Sequence, residues 1–134
     1  LERAKAYLDI MKIRMGSRLN FQIEVPEYLK PVLFPTMMMQ TLVENAIKHG
    51  LEPKTGGGTI WILARAHENN VAVTIADDGR GFSAEGAGTG IGLRNVRERL
   101  RLAYGNNASF HIVANFPSGV AATITVPTSF LQGE

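Results

Sequence analysis

The chain has 134 residues, 45% hydrophobic and 19% charged, with a net charge of +2 and no cysteine. That length and mix fit one folded domain, exclude disulfides and thiolate metal sites, and leave too little positive charge to argue for nucleic acid. No apolar run approaches the roughly 20 residues of a membrane helix, and no signal-peptide pattern is present.

Leu1, Ala4, Leu8, Met11 and Met15 recur at three- and four-residue spacing, which predicts an amphipathic helix over 1–15 ended by Gly16. The chain starts inside that pattern without an initiator methionine, so it is expected to be a piece of a longer protein. Leu19, Phe21, Ile23 and Val25 alternate with polar residues up to Pro26 and predict a strand. Pro31 and Pro35 punctuate a loop, and Pro35 stands where a helix can begin. The segment TMMMQTLVENAIKHG predicts a helix over 36–49, with Met38, Leu42, Val43, Ala46 and Ile47 as its apolar stripe and Gly50 as its C′ residue. TGGGT reads as a flexible turn. Strands are expected over 59–66 and 71–76, joined by HENN as a hairpin turn. After a glycine-rich stretch, a helix is expected from about Leu93 to Tyr104, stopping at Gly105, then strands over 109–114 and 121–126. The order is helix, strand, helix, two strands, glycine loop, helix, two strands. It predicts an α+β fold, a two-layer sandwich of one mixed, mostly antiparallel sheet with helices on one face.

Residues 73–93, VTIADDGRGFSAEGAGTGIGL, hold six glycines behind a pair of carboxylates. Glycine at that density costs folding entropy, so the backbone must approach something closely or take up positive φ. Two phosphate-binding patterns are absent: no glycine is followed by Lys and then Ser or Thr, and G-x-G-x-x-G fails at Ile91 and at Leu93. What stands there is D-x-G-x-G (Asp77, Gly79, Gly81), then G-x-G-x-G (Gly88, Gly90, Gly92) at the mouth of a helix. The second group lets backbone N–H groups turn inward beside a helix N-terminus, which suits a polyphosphate. Residues 82–89 would form a short flap over a ligand. Asp77 closes a strand; a buried carboxylate only accepts hydrogen bonds, which suits the exocyclic amine of adenine and rejects guanine. The plainer alternative is a surface turn followed by a floppy loop.

On the helix of 36–49, Thr41, Asn45 and Lys48 lie at i, i+4 and i+7 and form a polar stripe beside the apolar one. An Asn carbonyl oxygen is a hard ligand suited to Mg²⁺. Lys48 and His49 can meet phosphate charge. A solvated helix face is the alternative, but together with the glycine motifs these residues make a complete magnesium–nucleotide site.

Three segments resemble a known family. LVENAIKHG resembles the N-box, DDGRGF the first glycine box and GTGIGLRNVRERL the second glycine box of the ATPase fold shared by gyrase, the heat-shock-90 chaperone, histidine kinases and MutL. The wording is most similar to LytS-like sensor histidine kinases, and the likeness covers nearly the whole chain. The resemblance implies a Bergerat-type sandwich that binds ATP and Mg²⁺ over 17–134, with 1–16 as the end of an upstream helical dimerisation region or linker. It implies that Asn45 ligates Mg²⁺, Asp77 receives the adenine amine, and Gly79 and Gly81 line the base with Phe82 beside them. Gly88, Thr89, Gly90, Ile91, Gly92 and Leu93 would wrap the phosphates. Such kinases transfer the γ-phosphoryl group to a histidine on the dimerisation domain of a homodimeric, cytoplasmic or membrane-anchored parent, for relay to a response regulator; the chain by itself can be monomeric.

Three departures from that pattern matter. The acceptor histidine belongs upstream, because the chain has only His49, His67 and His111, and the latter two read as structural or exposed. Water-splitting relatives place a glutamate where this chain has Thr41; Glu44, turned about 100° from Asn45, is a candidate to polarise the attacking imidazole. Relatives often carry an adenine-holding Thr after a glycine seven residues before a proline, and here that place is Val120, after Gly119, with Thr123 only nearby. Positioning and charge neutralisation by Mg²⁺, Lys48 and loop amides would supply most of the catalysis. Met37, Met38, Met39 and Trp61 read as packing residues, and Arg94, Arg97, Arg99 and Arg101 as a solvated helix face, the alternative being that one or two of them reach the phosphates or dock the upstream domain. The competing readings are an anti-sigma-type serine kinase or switch, and a nucleotide-gated ATPase.

Overall fold

A computed structural model describes residues 2–29, 36–79 and 87–130. Helix α1 spans Glu2–Met15 and is followed by strand β1, Leu19–Glu24. Helix α2 covers Thr36–Asn45 and passes without a break into a π-helical turn, Ala46–Leu51. Strands β2, Gly58–His67, and β3, Asn70–Asp77, form a hairpin. Helix α3, Ala87–Tyr104, precedes the last hairpin, β4 over Ser109–Ala114 and β5 over Val120–Pro127.

The five strands form one sheet in the order β1-β2-β3-β5-β4. Among the described residues only β1 and β2 run parallel, with α2 in the connection between them; the other pairs are antiparallel. This is the expected mixed, mostly antiparallel sheet. Alternation fixes its two faces: Leu19, Ile60, Ile62, Val71, Val73, Ile75, Phe110, Ala122, Ile124 and Val126 are buried. They share one core with Ala4, Leu8, Met11 and Met15 of α1, Leu42 and Val43 of α2, Ile47 and Leu51 of the π turn, and Val96 and Leu100 of α3. The other face of β2 and β3 carries Trp61, Leu63, Ala72 and Thr74, partly exposed. Helix stops fall where glycine allows them, with Gly16 at φ 62° after α1 and Gly105 at φ 61° after α3.

Two boundaries differ from the sequence expectation. Gly50 is not a C′ residue, since its φ is not positive; it lies inside the π turn. The wider turn keeps Ile47 and Leu51 fully buried while laying Gly50 against the end of β3. Helix α3 begins at Ala87 and not near Leu93, so Gly88, Gly90 and Gly92 are helical. Glycine disfavours a helix interior by about 1 kcal/mol per residue, which made a loop the natural expectation. The penalty is a weak prior, and a helix anchored in the core by Val96 and Leu100 carries these glycines in its first two turns.

Candidate functional site

Asp77 is the last residue of β3 and is 3% exposed, the one charged side chain among the buried residues described. Its inward direction follows from the alternation that buries Val71, Val73 and Ile75. Where the strand ends, the core gives way to a cradle of backbone. Gly79 N–H donates to Asp77 Oδ1 at 2.8 Å, and Val120 N–H reaches the same carboxylate from β5. Burial nonetheless dominates and pushes the Asp77 pKa up to about 6; the two N–H groups pull it down, Asp78 raises it, and the Lys54 ammonium lowers it.

The cradle is built from distant segments. A Cβ on Gly79 would lie 2.3 Å from Gly50 C and O, and a Cβ on Gly50 would lie 2.9 Å from Asp77 Oδ1, so the π turn and the strand end touch through bare backbone. On the other side, Asn115 Nδ2 donates to Asp77 O at 2.8 Å. Gly119, at φ 102°, lies so close to Asp77 O that a Cβ would sit 1.9 Å away. Ser118 Oγ and Lys54 Nζ both donate to Asp78 O, at 3.0 and 2.7 Å. The Asp78 carboxylate folds back on β2 and accepts from Thr59 N–H at 2.7 Å.

Asn45 sits at the junction of α2 and the π turn, a helix irregularity frequent at functional sites. Its Nδ2 is buried and has no hydrogen-bond partner among the described residues. Such an atom costs about 1–3 kcal/mol. The polar stripe of Thr41, Asn45 and Lys48 presumed a continuous α-helix; the π turn rotates the residues after Asn45, because each turn there takes up more residues than in an α-helix. Lys48 is exposed and His49 half-buried on that turn. Glu44 accepts from Gln40 Nε2 at 2.9 Å, and its charge helps burial to raise the Tyr7 phenol on α1.

Gly81 and Phe82, with most of the proposed flap of 82–89, lie outside the described residues. Gly88, Thr89, Gly90, Ile91, Gly92 and Leu93 occupy the first turns of α3. The four opening N–H groups of that helix, on Ala87, Gly88, Thr89 and Gly90, have no acceptor within it. Among the arginines, Arg99 is exposed, Arg101 pairs with Glu98, and Arg97 donates to Phe110 O at 3.2 Å with its guanidinium 5.0 Å from the Phe110 ring centre. His67 and His111 are exposed. Thr123 bonds Thr74 across the sheet at 2.8 Å, three residues along β5 from Val120.

Sequence reasoning found Asp77, Gly79 and Asn45 but missed Gly50, Lys54, Asn115, Ser118 and Gly119 as parts of one cradle. Only Gly119 carried a readable signal, as a glycine in the NFPSGV turn.

The described residues thus hold a buried acid at a sheet end, a buried amide nitrogen without a partner among them at the end of α2, and a glycine-rich start to α3. Comparison with known proteins identifies the class of protein. Residues 32–129 match the family described as histidine kinase-, DNA gyrase B- and HSP90-like ATPase, and the chain belongs to that family. It is 34% identical over 125 residues to the sensor histidine kinase YesM of Bacillus subtilis, a match covering 90% of this chain and 22% of YesM. It is 33% identical over 126 residues to the sensor protein LytS of Oceanobacillus iheyensis, covering 84% of this chain and 22% of LytS. The chain thus spans 22% of the length of each. The fold is that of the solved catalytic domain of histidine kinase ThkA, with a TM-score of 0.64 at 18% identity, covering 95% of this chain and 91% of that domain. Among the described residues no helix is long and apolar enough to cross a membrane.

Proposed function

We propose that this chain is the ATP-binding catalytic domain of a two-component sensor histidine kinase. In this reading it binds Mg-ATP and transfers the γ-phosphoryl group to a histidine on an upstream dimerisation domain, from which a response regulator takes it. Residues 1–16 would lead in from that region and 17–134 would form the domain. The parent would act as a homodimer in the cytoplasmic compartment, where ATP and the regulator are found.

The observation that carries the reading is Asp77: a carboxylate 3% exposed, held at a sheet end by two backbone N–H groups. Ionised, it only accepts, so it receives the adenine amine and repels the guanine carbonyl. As the family resemblance implies, Gly79 and Gly81 would line the base, with Phe82 beside them. Asn45 supports a magnesium-bound triphosphate, because its buried Nδ2 lacks a partner among the described residues and the amide exchanges nitrogen for oxygen by a half-turn of its last bond. Mg²⁺, when bound, would neutralise phosphate charge. Lys48 and His49 would add positive charge, and the N–H groups of Gly88, Thr89 and Gly90 would receive phosphate oxygens, with Ile91, Gly92 and Leu93 continuing that wall. Thr41 in place of a water-activating glutamate favours transfer over hydrolysis, and Glu44 is the candidate to orient the acceptor imidazole.

Titration of ATP against GTP, with and without Mg²⁺, tests the pocket. Preference for ATP is expected, strengthened by Mg²⁺; equal affinities would refute it. A longer chain that restores the upstream helices should take up acid-labile label from γ-labelled ATP. Label on serine, or none, would refute the kinase assignment.

A further inference from the structure

Lys54 lies in the loop between the π turn and β2, where a solvated lysine would be the ordinary expectation. Its backbone is fixed on both sides: Lys54 N–H donates to Leu51 O at 3.1 Å and Gly57 N–H to Lys54 O at 2.8 Å. Arg18, just before β1, donates to Glu52 O at 2.9 Å and to Lys54 O at 3.0 Å. Gly57 packs so closely on Arg18 that a Cβ there would fall 1.9 Å from Arg18 O. Arg14 on α1 adds an ion pair to Glu52 at 3.4 Å. The loop is therefore anchored to the start of β1, and from it the lysine reaches across to Asp78 O at 2.7 Å.

That oxygen belongs to the peptide whose N–H, on Gly79, holds Asp77 Oδ1. A cation on the oxygen of a peptide polarises its N–H and strengthens the bond that N–H donates. We propose that Lys54 is a positioning residue for adenine recognition, clamping the Asp78–Gly79 peptide so that its N–H orients the Asp77 carboxylate toward the base. Arg18 holds Lys54 in place, so the segment between α1 and β1 is wired to the base-selecting acid. Among the described residues, the charged groups that act on Asp77 are Asp78, its chain neighbour, and Lys54; the hairpin side contributes the neutral Asn115, Ser118 and Val120 backbone. This rests on the adenine reading of Asp77.

The test compares Lys54→Met, Lys54→Arg, Ser118→Ala and Asp77→Asn for binding of ATP and of inosine triphosphate, which has a carbonyl in place of the amine. The Asp77 carboxyl carbon is followed by NMR against pH in the Lys54 and Ser118 variants. Lys54→Met is expected to weaken ATP about fivefold with little change for inosine triphosphate, as befits a charged hydrogen bond acting at one remove. It should also move the Asp77 titration to higher pH, with the fold intact by its amide spectrum. Lys54→Arg should restore most of the preference. Ser118→Ala, which removes a neutral donor from the same oxygen, should weaken ATP less and leave the titration nearly in place. An unchanged nucleotide ratio and an unchanged titration in Lys54→Met, while Asp77→Asn loses the preference, would overturn the Lys54 role alone. If Asp77→Asn keeps the preference, the adenine pocket itself is wrong and the inference goes with it.

Discussion

Replacing Asp77 with Asn should move stability and binding in opposite directions. The folded carboxyl titrates near 6 against a reference of 3.8, so ionising it costs the folded state more than the unfolded chain. The sign follows: a raised folded pKa makes the protein lose stability as pH rises toward and through 6, and regain it as pH falls toward 3.8. Integrating between those two values, Asp77 makes the wild type about 2 kcal/mol less stable at about pH 8 than at about pH 4.5, relative to a group that does not titrate. Asn does not titrate and has nearly the same shape. In urea unfolding, the stability of Asp77→Asn minus that of the wild type should therefore grow by about 2 kcal/mol over that range. Any fixed defect from an imperfectly bonded amide cancels in this difference. Above about pH 6, where wild-type Asp77 is ionised, the ATP affinity of Asp77→Asn should be lower than that of the wild type by roughly tenfold to a hundredfold, since the amide oxygen must take the Gly79 N–H and leaves an NH₂ group facing the adenine amine. Parallel stability curves for the two proteins would show that Asp77 is not held as a costly buried acid.

Asn45→Ala removes a buried amide nitrogen that has no partner among the described residues, so the unliganded fold should lose little stability, within about 1 kcal/mol either way. The Mg²⁺-dependent part of ATP affinity should vanish, as titrations with Mg²⁺ and with a chelator will show. Gly79→Ala should lower the melting temperature by about 10 °C, because its methyl meets the Gly50 backbone at 2.3 Å and overpacking of this kind costs roughly 3 kcal/mol. The same variant should lose ATP binding; a melting temperature within 2 °C or so of wild type would mean that the two backbones are not in contact.

The fold was legible because period-two and period-3.6 patterns lie in separate segments here. Val71, Val73 and Ile75 alternate and are buried, and Leu42, Val43 and Ile47 keep helical spacing and are buried. What was illegible concerns glycine. A glycine reports that the backbone is constrained, but the constraint is set by whatever lies across from it. Gly50 looked like a helix stop and proved to be a contact surface for Asp77 and Gly79. The run at Gly88, Gly90 and Gly92 looked like a loop, yet it forms helix. The place at residue 120 looked deficient for want of a threonine, yet its main-chain N–H reaches the acid, a contact that any non-proline residue can supply.

The cradle of Asp77 also bears on whether it is a site or merely a structural knot. A buried acid with a raised pKa lowers stability at neutral pH, and a neutral residue of the same size would spare the fold that cost. Yet the protein commits three separate segments to it: the π turn through Gly50, the loop through Lys54, and the β4–β5 hairpin through Asn115, Ser118, Gly119 and Val120. Two of those contacts require glycine, and one places an ammonium group where it favours the ionised acid. Packing alone gives no reason to keep a charge there. Recognition of a donor on a flat ligand does, because an ionised carboxylate accepts hydrogen bonds and donates none.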